Sequence, residues 1–79
     1  MDQKLVNILA EVFQIKESEI QESLKKEDVG SWDSLKQMDL VVTLESEYGI
    51  SLEIPDILKM QSVGTIINVL TEKGIKFED

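Results

Sequence analysis

The chain contains no cysteine, no histidine and no arginine. Without cysteine there is no disulfide framework, no thiolate metal site and no thiolate nucleophile. Without histidine the usual proton shuttle near neutral pH is missing. Without arginine there is no bidentate clamp for phosphate or carboxylate. A catalytic centre would have to be assembled from carboxylates, lysines, hydroxyls and a single tyrosine, which argues against an enzyme. No apolar run approaches the ~18 residues of a membrane span. The opening Met1-Asp2-Gln3-Lys4-Leu5 lacks the basic stretch and long apolar region of a secretory signal. The expectation is a soluble, cytoplasmic protein without membrane insertion.

What is present is small and acidic. Seventy-nine residues suit one domain, 1–79, whose core buries little more than the ~60 % of unfolded surface typical of short domains. Sixteen acidic residues face eight lysines, for a net charge of −8. Such a surface repels nucleic-acid phosphates and anionic lipid and attracts partners with basic patches. Composition alone favours a charge that only keeps the domain in solution.

Hydrophobic spacing predicts an all-α, small four-helix bundle of three longer helices and a short third one. Leu5, Ile8, Leu9, Val12 and Phe13 form one apolar stripe on a helix over about 3–15, with Asp2 placed as its N-cap. Residues 16–33 are polar, with Ile20, Leu24 and Val29 as isolated apolar points: a long loop pinned to the core, of a length that is often functional. Trp32 ends this loop and reads as its hydrophobic anchor rather than as a substrate contact.

A second helix runs from about Ser34 to Tyr48 and stops at Gly49. Its apolar arc covers well over half its circumference, so it lies centrally or keeps an apolar margin for a partner. Leu35, Met38 and Val42 are the candidates for that margin. Ile54-Pro55-Asp56-Ile57-Leu58 reads as the short helix, and Ser62 opens the last, which ends at Lys73 and Gly74.

Asp33-Ser34-Leu35 stands where the long loop enters the central helix. Unpaired N–H groups and the positive dipole there would favour a phosphodiester on the Ser34 hydroxyl. The junction also exposes the side chain to a modifying enzyme while the helix holds it in place. Taken by itself the tripeptide, short and chemically ordinary, reads as a simple helix cap.

The order of features changes that balance. An amphipathic helix, a pinned loop, Asp33-Ser34-Leu35, an acidic helix ending in Glu45-Ser46-Glu47-Tyr48-Gly49-Ile50, a short Ile-Pro-Asp helix and a Ser-Val helix start resemble the acyl carrier protein family. The resemblance spans about residues 3–74 and is strongest from Trp32 to Ile50. It implies that Ser34 takes a 4′-phosphopantetheine arm from coenzyme A through a magnesium-dependent phosphopantetheinyl transferase, with Asp33 attending that step. It implies that Leu35, Asp39, Val42 and Glu45 meet partner enzymes, the acids facing basic docking patches of acyl-loading and acyl-transferring enzymes. It further implies a monomer with no catalytic residues and no bound metal.

Three departures from the fatty-acid pattern stand out: an extra residue between Gly30 and Asp33, the bulky Trp32, and a lysine at Lys36. The segment from Pro55 to Ser62 is also short. These features point to a specialised free-standing carrier for polyketide, peptide or sugar-modifying chemistry in preference to housekeeping fatty-acid synthesis. The alternatives are a peptidyl or aminoacyl carrier and a helical interaction module that is never modified. A metal site from Glu45, Glu47, Glu53 and Asp56 is disfavoured, because these acids lack a calcium-loop ladder.

Overall fold

The computed structural model describes residues 1–77. Among them run α1 (Gln3–Phe13), α2 (Ser34–Tyr48), α3 (Ile54–Lys59) and α4 (Val63–Glu72), with single 3-10 turns at Glu17–Glu19 and Lys26–Asp28 in the long loop. The all-helical bundle expected from the spacing is the architecture observed. α1 packs along α2, and α3 packs on α4.

Each helix starts and stops for a local reason. Asp2 caps α1 by accepting the Leu5 N–H at 3.1 Å. The helix then ends at Phe13, two residues short of the expected end. Gln14 takes a left-handed conformation (φ 57°), and Ile15 N–H folds back to the Ala10 carbonyl at 3.1 Å. Ile15 still packs against the core from outside the helix. α2 ends at Gly49, whose φ of 64° suits a residue without Cβ. α3 places Pro55 in its first turn, where a missing N–H costs nothing. Ser62 and Thr65 close a reciprocal cap on α4.

Leu5, Leu9, Phe13, Leu40, Leu44, Met60, Val63, Ile66 and Leu70 form the fully buried centre. The loop is pinned as its apolar residues suggest: Ile20 and Val29 are buried, and Leu24 packs at the edge. Backbone bonds also tie it to the start of α4, from Val63 N–H to Leu24 O at 2.9 Å and from Gly64 N–H to Glu22 O at 3.0 Å. A Cβ on Gly64 would lie 3.2 Å from that same Glu22 oxygen, so the close approach depends on glycine.

Candidate functional site

α2 begins at Ser34 because Asp33 caps it. The Asp33 backbone is extended, and its Oδ1 accepts the Lys36 N–H at 2.9 Å. The Asp33 carbonyl takes the Gln37 N–H at 2.8 Å. The cap thereby satisfies the Lys36 N–H, and among the described residues the N–H groups of Ser34 and Leu35 have no acceptor. Ser34 is exposed, and among the described residues nothing hydrogen-bonds its hydroxyl. Ser31, one turn upstream, is different: half-buried, it donates to the Phe13 carbonyl at 2.7 Å.

The junction is held from beneath by Trp32, which is only 3 % exposed and stacks on Phe13 with ring centroids 4.3 Å apart. This is the anchoring role expected of it. Its indole N–H donates to Gln37 Oε1 at 2.6 Å, and Gln37 Nε2 donates to the carbonyls of Ile57 and Met60, each at 3.1 Å. Gln37 is the buried polar side chain of the core and was not singled out from the sequence. A signal existed: at ~100° per residue, Gln37 falls within the stripe of Leu40, Val41 and Leu44. A polar residue in a buried stripe requires polar partners.

Leu35, Met38 and Val42 are exposed by 80, 50 and 60 %, so the expected apolar margin exists. With Lys36 and Asp39 they line a shallow groove along α2 that begins at Leu35. Glu45 stands apart from it. It is half-buried, and its Oε2 accepts the Leu52 N–H at 2.9 Å, bracing the loop between α2 and α3. On α3, Ile54 and Leu58 are also exposed, and each is 68 % accessible.

Of the acids weighed as a metal set, Glu45 and Asp56 are engaged elsewhere. Asp56 pairs with Lys73 at 2.8 Å and accepts the Glu53 N–H at 3.0 Å. The Lys73 hydrogen bond is the main reason the Asp56 carboxyl sits below its ordinary 3.8. Among the described residues no group of three or more potential ligands gathers in one place, and no helix is long and apolar enough to cross a membrane.

Comparison with known proteins agrees with this geometry. Residues 3–70 match the family described as "Phosphopantetheine attachment site". An acyl carrier protein of Thermotoga maritima is 34 % identical over 70 residues, covering 89 % of this chain and 86 % of that protein. One from Petrotoga mobilis is 30 % identical over 71 residues, covering 90 % and 84 %. The solution structure of a holo acyl carrier protein from Geobacter metallireducens superposes with a TM-score of 0.79 at 28 % identity, covering 89 % of this chain and 80 % of that one.

Proposed function

The chain belongs to the acyl carrier protein family, and from that premise we propose that Ser34 is the residue that bears its 4′-phosphopantetheine arm. The observation carrying this assignment is the contrast between two neighbouring hydroxyls. Ser31 is engaged with a carbonyl, whereas Ser34 is exposed and unengaged at a helix start.

The residues around Ser34 fit the group. The open N–H groups of Ser34 and Leu35 can receive a phosphate oxygen, and the helix dipole favours that charge. Asp33 caps with one carboxylate oxygen, which leaves the other free for the metal-assisted transfer. The arm supplies a terminal thiol that holds the acyl group as a thioester, a chemistry the cysteine-free chain lacks. The chain's own task is positional: α2 fixes the attachment point, and Trp32 prevents the preceding loop from swinging. With no histidine anywhere in the sequence, Ser34 has no imidazole base to make it a hydrolytic nucleophile. Partner enzymes therefore do the bond-making.

Docking falls to the exposed face beginning at Leu35. Leu35, Met38 and Val42 offer apolar area, and Asp39 offers charge to basic enzyme surfaces. Glu45 sits on the same helix and contributes field while holding Leu52. One carrier domain working as a cytoplasmic monomer is the simplest form of this reading. Trp32 and Lys36 favour a specialised pathway over housekeeping fatty-acid synthesis.

Incubation with a phosphopantetheinyl transferase, magnesium and coenzyme A, followed by intact-protein mass spectrometry, tests the reading. The chain should gain the mass of one arm. No gain would overturn it. Offering the product separately to acyl- and aminoacyl-loading enzymes then separates an acyl carrier from a peptidyl one.

A further inference from the structure

α3 has only six residues, fewer than a helix needs to persist by itself in water. Its outer face, Ile54 and Leu58, is exposed. Three polar clips hold it and its entry. Glu45 takes the Leu52 N–H, Asp56 pairs with Lys73, and Gln37 bonds the Ile57 and Met60 carbonyls. The first two act at the entry and the first turn of α3. Of these three clips Gln37 is the one at its C-terminal end, and it reaches there from within the first turn of α2.

We propose that Gln37 is a positioning residue that locks α3 to the Ser34-bearing end of α2, so that the surfaces flanking the arm form one rigid recognition face. Every polar atom of its amide has a partner. The oxygen takes the indole N–H of Trp32, and the nitrogen serves both α3 carbonyls. The orientation of the amide follows directly, since the indole only donates and the carbonyls only accept. Because Trp32 is stacked on Phe13, the relay extends from the end of α1, through the residue just before Asp33, to the end of α3. A fully satisfied buried network of this kind specifies one geometry; removing its centre strands the indole N–H and the Met60 carbonyl, while the Ile57 carbonyl keeps the Met60 N–H at 3.1 Å.

The amide also defines what it does not do. Gln37 is 7 % exposed, so no partner enzyme can touch it, and its influence on recognition must pass through α3 and the loop. In substrate terms, a looser face is harder to recognise but no slower once docked. Recognition should suffer and the chemical step should not.

Hydrogen exchange on the unmodified chain tests the lock without reliance on the carrier reading. In Gln37→Met, which keeps the volume and removes all three bonds, the hydrogen-bonded amides of 57–60 should exchange about tenfold faster, with α1 and α4 little changed. Trp32→Phe removes the indole N–H together with part of the ring stacked on Phe13, so it should loosen both the α3 amides and the contact with α1. The emission of Trp32, the chain's single tryptophan, should shift in Gln37→Met. Unchanged exchange in α3, or equal acceleration in all four helices, would overturn the proposal, because the amide would then support overall stability only.

The recognition arm of the test rests on the Ser34 reading. Phosphopantetheinyl transfer to Gln37→Met should show KM raised about fivefold with kcat within about twofold. Unchanged KM, or a loss confined to kcat, would refute the positioning role. Should the unmutated chain accept no arm at all, the carrier reading fails, while the exchange data still decide whether Gln37 holds α3.

Discussion

Trp32 stacks on Phe13 with ring planes 27° apart, and this one contact ties the loop that delivers Ser34 to the far end of α1. Ser31 reinforces it by bonding the Phe13 carbonyl. The proposed attachment point is therefore held by the core, although Ser34 itself is exposed.

Trp32→Ala should cost ~3–5 kcal/mol, as large aromatic truncations in cores do. A domain of this length holds only about 4–12 kcal/mol in total. Urea denaturation should accordingly find the variant near the edge of unfolding. A loss under about 1 kcal/mol would mean that the ring is not part of the packed core.

Tyr48 presents the opposite case. Its hydroxyl is buried with no hydrogen-bond partner among the described residues, while Lys4 Nζ lies 4.6 Å from its ring centroid. Burial, together with the charges of Asp2 and Glu47, pushes its pKa up from 10.0 to about 12. Removing an unsatisfied buried hydroxyl is favourable, so Tyr48→Phe should gain ~1 kcal/mol in a denaturant titration. The proton is held more tightly in the folded chain. Stability from this group is thus complete below pH 10.0 and declines as pH rises toward about 12. Tyr48→Phe should remove that part of the alkaline decline.

At the acid end the relevant pair is Asp56 and Lys73. The lysine holds the Asp56 carboxyl below 3.8, so the pair's contribution is complete above that value and lost as pH falls beneath it. The Lys73 ammonium, raised in turn by Asp56, keeps its charge throughout that range. Asp56→Asn should lower the melting temperature slightly at neutral pH and flatten its fall below the ordinary carboxylate range. An acid limb identical to that of the unmutated chain would exclude this pair as a contributor.

Charge reversal locates the docking face. Asp39→Lys should weaken transferase binding more than Glu17→Lys or Glu19→Lys, and the gap should shrink at high salt. Glu45→Lys is a mixed probe, since it also frees the Leu52 N–H and should lower stability. Leu35→Ala and Val42→Ala should weaken binding without destabilising the fold, because both side chains are exposed. Equal losses at Asp39, Glu17 and Glu19 would rule out a localised face.

The helices were legible because their determinants are local. Asp2, Asp33, Gly49, Pro55 and Ser62 act within one turn of their own positions, and the apolar stripes announce their buried sides. The loop's three pins were legible for the same reason, as apolar residues isolated in polar surroundings. The end of α1 was not, because Gln14 adopts a left-handed turn that glycine or asparagine would have advertised. Nor was the use of Gln37, whose partners on α3 lie 20 and 23 positions away. Glu45 shows the same limit: its charge was visible, its bond to Leu52 was not. The proposal for Ser34 rests on the order of motifs around it, since a serine at a helix start is otherwise an ordinary cap.

Fragmentation of the modified chain, mapping which hydroxyl bears the arm, tests the central claim most directly. The arm should reside on Ser34 alone, and Ser34→Ala should remain folded and unmodified. An arm found on Ser31 or any other serine, or a Ser34→Ala chain that still gains its mass, would contradict the account.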